Sequence, residues 1–261
     1  MERINDIKEI QKRLLAIADA FHHVCIDEGI PYYMIGGTML GAIRHKGFIP
    51  WDDDMDFGVP RPYFEKLIEA LEGKLPEGFR CLTYKNCQQI KYPFIKIEDT
   101  ATCIDDVSLD CLLEEKPGLN IDVFPIDDCD KGGWRIARVF FYLTLQTLFF
   151  VKSTSHSIIK AHVKKVLMHI APTNRLFFLT RLEYAMTHAG NGYRANLMGR
   201  CRYREILKPE LFKASTTYPF EDISLNGLDN YDAYLTFIYG NYMKLPPEGE
   251  RQAHVENVFR R

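Results

Sequence analysis

Four aspartates fall within five residues in the run Pro50-Trp51-Asp52-Asp53-Asp54-Met55-Asp56-Phe57-Gly58-Val59, and they pass straight into apolar sequence. Read as a strand, successive side chains alternate between two faces. Asp52, Asp54 and Asp56 then share one face, and Met55, Phe57 and Val59 share the other. The apolar face suits a core. The acidic face sets carboxylates about 6.6 Å apart, Cα to Cα. Like charges that close raise one another's pKa and oppose folding unless a cation neutralises them. Oxygen ligands of this kind suit Mg²⁺, which takes one or two carboxylates, several waters and substrate phosphate. A solvated acidic turn is the plain alternative, and the alternating Met-Phe-Val face argues against it.

A second acidic stretch, Leu119-Asn120-Ile121-Asp122-Val123-Phe124-Pro125-Ile126-Asp127, places Asp122 among apolar neighbours. A lone Asp in an apolar strand costs free energy unless it is paired, hydrogen-bonded or on a metal. It either caps local N–H groups or completes a cation site. The expected metal ligands are therefore Asp54, Asp56 and Asp122, for Mg²⁺ with Mn²⁺ as a substitute. Such a row is expected across one mixed sheet, with Asp122 facing the first three aspartates.

Upstream, the β-prone Tyr32-Tyr33-Met34-Ile35 leads through Gly36-Gly37-Thr38 into a short helical run, Met39 to Arg44. A strand, a Gly pair and a helix start make a natural phosphate site. Glycine lets a phosphate approach the backbone, and the helix N-terminus offers N–H donors and partial positive charge. Taken alone, Gly-Gly-Thr is usually just a turn; its place shortly before the Asp row strengthens it. Arg44 is a candidate phosphate contact, with His45 and Lys46 beside it. Lys96, alternating with Ile95 and Ile97, is another, against the equal reading of a surface lysine.

The remaining elements follow from periodicity. Ile4 to Glu28 reads as one long helix, stopped by Gly29-Ile30-Pro31. His22 and His23 near its end lack other ligand candidates beside them. Pro62 suits the first turn of a helix that runs from Tyr63 to Leu71. Phe79 to Thr83, Phe94 to Ile97 and Thr100 to Ile104 are β-prone. After Asp130-Lys131-Gly132-Gly133 the character changes. Trp134 to Val151, Ser157 to Ile170 and Thr173 to His188 read as helices, as does Asp232 to Tyr239. Lys160, His162, Lys164 and Lys165 give the second of these a basic face, best taken as solvated. The expected organisation is an α+β fold: a mixed-sheet catalytic core over residues 1–130, and a mainly helical region over 131–261 that packs on it from the acceptor side.

Composition excludes several classes. The net charge of −2 gives no nucleic-acid footprint. No apolar run reaches the roughly 18 residues of a membrane span, although Trp134 to Val151 suits contact with a membrane surface. The N-terminal residues carry no signal-peptide pattern. Seven cysteines, an odd number with no C-x-x-C pair, indicate reduced thiols in the cytoplasm.

Three ordered stretches together resemble the LicD family. The first runs Gly36-Gly37-Thr38-Met39-Leu40-Gly41-Ala42-Ile43-Arg44 and Gly47-Phe48-Ile49-Pro50-Trp51-Asp52-Asp53-Asp54-Met55-Asp56. The second is Asn120 to Asp127. The third is Tyr239-Gly240-Asn241-Tyr242-Met243-Lys244-Leu245-Pro246-Pro247. The match spans about residues 4 to 255 and is thin between Trp134 and Gly190. It implies a nucleotidyltransferase core of the DNA polymerase β type. It also implies transfer of a phospho-alcohol group from a CDP-linked donor to a glycan hydroxyl. Phosphocholine transfer onto lipopolysaccharide, teichoic acid or capsule is the favoured reading, and fukutin-type relatives transfer ribitol phosphate. The gap between Gly37 and Asp54 looks longer than in typical nucleotidyltransferases, which sets this chain apart from simple nucleotidyl transfer.

On this reading the catalytic set is Asp52, Asp54, Asp56 and Asp122, with Asp52 or Asp122 accepting the acceptor's proton. Donor contacts are Gly36, Gly37, Thr38, Arg44 and Lys96. Choline is quaternary, so an aromatic cage is expected, with Tyr239 and Tyr242 as candidates. The expected partners are a CDP-linked donor and a glycan or glycolipid acceptor, met at the inner membrane face. Three other readings compete: a metal-dependent glycosyltransferase using a sugar nucleotide, a true nucleotidyltransferase, and a binding protein on a dead enzyme scaffold. No nucleotide-binding βαβ series precedes the Asp row, which weighs against the first, and the intact row weighs against the last.

Overall fold

The computed structural model describes residues 1–105, 111–150, 174–251 and 257–261. Helix α1, Ile7–Asp27, begins where the Asp6 carboxylate accepts the Lys8 N–H. Ile10, Leu14, Ile17, Phe21 and Val24 recur on one side and are buried. Gly29, at φ +62°, takes the left-handed turn that ends the helix. The helix is shorter than its periodicity suggests, because Glu2–Ile4 forms strand β1 instead.

The main sheet has nine strands. Along its path it reads β10 (Ser215–Phe220), β11 (Ile223–Leu228), β2 (Tyr33–Met34), β3 (Asp56–Pro60), β7 (Asn120–Cys129), β5 (Ile95–Asp99) and β4 (Phe79–Leu82). Strand β8 (Tyr193–Ala195) pairs with the far end of β7, and β9 (Ile206–Leu207) pairs with β8. Strands β2 and β3 are antiparallel and enclose helix α2, Gly36–Arg44. Strands β3 and β7 are parallel, with Asp56 opposite Asp122. Strand β5 runs antiparallel to β7, with Lys96 opposite Asp122. Helix α1 and helix α3, Phe64–Lys74, cover one face. A separate small sheet pairs β1 with β12 (Val258–Arg260) and β12 with β6 (Thr102–Ile104).

Two sequence expectations need correction here. The acidic run is not a strand throughout: β3 begins at Asp56, and Asp52 to Met55 form the loop before it. That loop is held by other bonds. Gln11 Nε2 donates to the Asp52 carbonyl at 2.8 Å and the Ile49 carbonyl at 3.3 Å, and the Asp122 N–H donates to the Met55 carbonyl at 2.9 Å. The inward side is nevertheless as read, since Met55, Phe57 and Val59 are all buried.

Among the described residues after 131, strands join the expected helices. Helices α4 (Gly133–Phe150), α5 (Arg175–Thr187) and α6 (Tyr231–Tyr239) are joined there by five strands, β8 to β12. Ser215-Thr-Thr-Tyr-Pro-Phe and Ile223-Ser-Leu-Asn-Gly-Leu pair across the two-residue turn Glu221-Asp222, and Glu221 takes the positive φ of +54°. The hairpin then extends the main sheet beside β2, so the sheet draws strands from both halves of the chain. The expected helix from Ser157 to Ile170, with its basic face, lies outside the described residues.

One core runs between the main sheet, α1, α2 and α6. A second, smaller one lies under α4 and α5, around Cys129, Ile136, Val139, Leu182 and Met186. All seven cysteines are free thiols. Among the described residues no helix is long and apolar enough to cross a membrane.

Asp127, the last carboxylate of the second acidic stretch, is fully buried and grips Arg61 through two bonds of 2.6 and 2.9 Å. Burial pushes its carboxyl up, and the Arg61 guanidinium pulls it back. This pair ties β7 to the turn after β3. Asp127→Ala leaves the guanidinium without its main counter-charge and is expected to cost about 3 kcal/mol of stability, measured by urea unfolding. Unchanged stability would show that the pair carries little of the fold.

Candidate active site

The residues of the acidic loop and β3 open into a cleft of about 960 Å³. Gly36, Gly37, Asp52, Asp54 and Asp56 form one wall, and Tyr239 reaches in from α6. The glycines fit this role sterically. A Cβ on Gly37 would lie 3.0 Å from an Asp52 carboxylate oxygen, and one on Gly36 would lie 3.4 Å from Asp56 Oδ2 and 3.8 Å from the Tyr239 hydroxyl. Gly36 also holds φ at +55°, a conformation that a side chain disfavours. Both glycines belong to the first turn of α2, which starts three residues before the expected Met39. No side chain caps that turn, and the Gly36 N–H donates to the Tyr234 hydroxyl at 2.9 Å.

Sheet register brings the second acidic stretch to the first. Asp56, Asp122 and Lys96 occupy one row across three neighbouring strands, so their side chains share a face. Lys96 Nζ donates to Asp122 Oδ1 at 2.5 Å and to Asn120 Oδ1 at 2.9 Å, and it sits 5.3 Å from the Phe94 ring centroid. The Asp56 carboxyl is held well above the usual carboxylate range. Burial is the largest cause, followed by Asp54 and Asp122; Lys96 works against them and Asp52 adds to them.

Other candidates sit elsewhere. Thr38 is buried, and its hydroxyl accepts the Asp56 N–H at 2.8 Å, so it positions the acidic residue from behind. Arg44 is tied by its Nη1 to the Tyr242 carbonyl at 2.7 Å and by its Nε to His45. Tyr242 donates its hydroxyl to Asp232 at 2.7 Å and packs against the core. Tyr239 and Tyr242 therefore do not form one cage. The aromatic lining of the cleft comes instead from Tyr92, Phe94 and Phe124, with the first two stacked at 6.1 Å and the last two tilted at 4.6 Å.

Sequence reading passed over these rings, and it passed over Glu205 on the cleft lining. Tyr92 precedes a Pro and looks like a loop residue, Phe94 only opens a β-prone run, and Glu205 ends the charged run Arg202-Tyr203-Arg204-Glu205. Only the fold brings them to the site.

The donor set suits a hard cation, since Asp52, Asp54 and Asp56 bring carboxylate oxygens to one stretch of the cleft lining. The raised proton affinity of Asp56 comes first from burial and then from Asp54 and Asp122, with Lys96 offsetting part of it, and a divalent ion beside these carboxylates would lower it. Among the described residues no three His, Cys, Asp or Glu side chains are drawn into a closed ligand cage.

The family model "LicD/FKTN/FKRP, nucleotidyltransferase domain" matches residues 29–137. Lipopolysaccharide cholinephosphotransferase LicD of Haemophilus influenzae is 27% identical over 268 aligned residues, covering 95% of each chain. Uncharacterized protein RP689 of Rickettsia prowazekii is 47% identical over 38 residues, 15% of this chain and 14% of its own length. Ribitol 5-phosphate transferase FKRP of Homo sapiens is 52% identical over 31 residues, 12% of this chain and 6% of its own length.

Replacing Asp56 by Asn removes a crowded carboxylate while keeping its shape. Its folded-state pKa is raised, so ionised Asp56 destabilises the fold above the unfolded value of about 3.9. In EDTA at neutral pH, Asp56→Asn is expected to melt about 2–4 °C above wild type, with the gain vanishing near pH 4. Mg²⁺ should raise the melting temperature of wild type and leave the variant unmoved. A variant that melts lower in EDTA would contradict the crowding argument.

Proposed function

With residues 29–137 forming a LicD-family domain, we propose that this chain transfers a phospho-alcohol group, phosphocholine in first place, from a CDP-linked donor to a hydroxyl of a cell-surface glycan. The observation that carries the reading is the meeting of Asp56 and Asp122 in register, with Asp52 and Asp54 on the same cleft wall and the α2 N-terminus beside them. Strand–helix–strand geometry with carboxylates on two adjacent parallel strands supports a nucleotidyltransferase-type core. The relative that aligns over 95% of the chain bears the name of a lipopolysaccharide cholinephosphotransferase, which supports a glycan acceptor and choline as the alcohol. The FKRP match is to a ribitol 5-phosphate transferase, which supports the wider class.

Asp54, Asp56 and Asp122 are the residues that would hold Mg²⁺, or Mn²⁺ in its place. The bound ion would supply neutralisation of the charge on the transferred phosphoryl and on the leaving CMP. Gly36 and Gly37 leave room for phosphate at the helix start. Lys96, now on Asp122, orients that carboxylate and stays close enough to follow a phosphate. Asp52 lies at the cleft wall against Gly37. Tyr92, Phe94 and Phe124 offer faces for a cationic alcohol, each worth about 0.5–2 kcal/mol.

Residues 1–130 supply the phosphate-side machinery on this reading, and residues 131–261 supply the acceptor-side wall through Asn196, Met198, Gly199 and Cys201. A cytoplasmic enzyme in peripheral contact with the inner membrane face fits the surface of α4 and α5. There Trp134, Phe141, Phe177 and Tyr184 are exposed, and the Arg138 guanidinium lies over Trp134 and Tyr184.

Product analysis tests the proposal. CDP-choline, lipopolysaccharide and Mg²⁺ should yield CMP and choline phosphate on the glycan, with turnover lost in EDTA. Asp54→Ala should lower the rate by about 10³-fold or more without unfolding the protein. Release of pyrophosphate would indicate nucleotidyl transfer, and release of nucleoside diphosphate from a sugar nucleotide would indicate glycosyl transfer. For the alcohol, calorimetry should show CDP-choline binding more tightly than CDP-glycerol or CDP-ribitol; equal affinities would remove choline and leave the phosphotransferase.

A further inference from the structure

The cleft has a second acidic pole. Three of its four acidic lining residues, Asp52, Asp54 and Asp56, belong to the loop and strand described above. The fourth, Glu205, comes from the other half of the chain, at the end of the turn Arg202–Glu205. Its carboxylate accepts the Cys201 N–H at 2.9 Å and lies over Gly199, where a Cβ would meet it at 2.0 Å. Gly199 is thus a glycine that makes room for a carboxylate, as Gly36 and Gly37 do elsewhere on the lining. Tyr234 and Tyr239, also on the lining, feel the charge of both Asp56 and Glu205.

Capping one N–H does not require a charge. A half-buried carboxylate kept for that purpose alone would cost free energy, and among the described side chains no cation pairs with it. Burial pushes its carboxyl up to about 7, and the Cys201 N–H only partly offsets this. At neutral pH the group can both take and release a proton, the condition under which a carboxylate works best as a base. It is correspondingly a poor fixed counter-ion. The titratable groups facing it are the Cys201 thiol and the Tyr234 and Tyr239 hydroxyls, and burial pushes all three up. Arg200 lines the cleft nearby, and Arg204 precedes Glu205 on the same turn.

Resting on the phospho-alcohol transfer reading, we propose that Glu205 accepts the proton of the acceptor hydroxyl. The acidic row serves the donor's phosphates, Asp122 is already held by Lys96, and the attacking oxygen must approach opposite the leaving group. A base that lines the same cleft but comes from the other half of the chain is free of the donor's phosphates and can meet that need. In the step, the acceptor oxygen forms a bond to the transferred phosphorus. The bond from that phosphorus to the bridging oxygen breaks, and CMP leaves with the electron pair. The hydroxyl proton passes to the Glu205 carboxylate, which returns it to solvent through the open cleft.

Glu205→Gln separates this role from the cap, because the amide oxygen still accepts the Cys201 N–H. The expected result is an unchanged melting temperature and unchanged calorimetric affinity for CDP-choline with Mg²⁺. CMP release should fall by about 10²-fold or more, and the rise of rate with pH through about 7 should disappear. A kcat within about threefold of wild type would overturn the proposal. So would a retained kcat with a weakened affinity for CDP-choline, which would make Glu205 a counter-ion for the cationic alcohol. If the variant fails to fold, the wild-type profile decides: a rate that is flat between pH 6 and 8 overturns the assignment. No CMP release by the wild type itself would instead refute the transfer reaction on which the proposal rests.

Discussion

Carboxylates from two parallel strands meet at one point of the main sheet. Asp56 on β3 stands opposite Asp122 on β7, and the loop before β3 adds Asp52 and Asp54 to the same region. In water such a cluster would spread apart. Here the backbone forbids it: the Asp122 N–H is bonded to the Met55 carbonyl, Thr38 takes the Asp56 N–H, and Gln11 on α1 fixes the Asp52 and Ile49 carbonyls. Helix α1, the α2 turn and both strands therefore share one task, which is to keep like charges close. Lys96 relieves only part of the repulsion, from the Asp122 side.

The acidic wall was legible because it is local. Asp, Met and Phe alternate within a few residues, and Asp122 stands alone in an apolar strand, so neither needed the fold to be noticed. The pairing of those stretches was an expectation that sheet register bears out. Not legible were contacts that depend on where distant residues lie. The Arg44 guanidinium bonds the Tyr242 carbonyl, and the Tyr242 hydroxyl bonds the Asp232 carboxylate. The strand boundary moved for the same reason, since Gln11, 41 residues from Asp52, holds the loop out of the ladder.

Glu205 shows the opposite limit. Its sequence surroundings, two arginines and a tyrosine, are those of a solvated turn, and nothing in composition or spacing marks it. Burial comes from packing the turn against α6 and β9. The strands after residue 131 were missed because each is short and the helical patterns beside them are stronger; β8, β11 and β12 find partners β7, β2, β1 and β6 in the first half of the chain. The same interleaving builds the cleft, whose lining takes Asp52, Asp54 and Asp56 from one half and Glu205, Tyr234 and Tyr239 from the other.

The central claim is that the crowded carboxylates exist to hold a divalent cation. Crystals grown with Mn²⁺ and CDP, measured at a wavelength sensitive to manganese, test it directly. The account predicts an anomalous peak bound by oxygens of Asp54, Asp56 and Asp122 and by a phosphate of the nucleotide. Nucleotide density in the cleft with no such peak, in protein that is active in the same buffer, would contradict it.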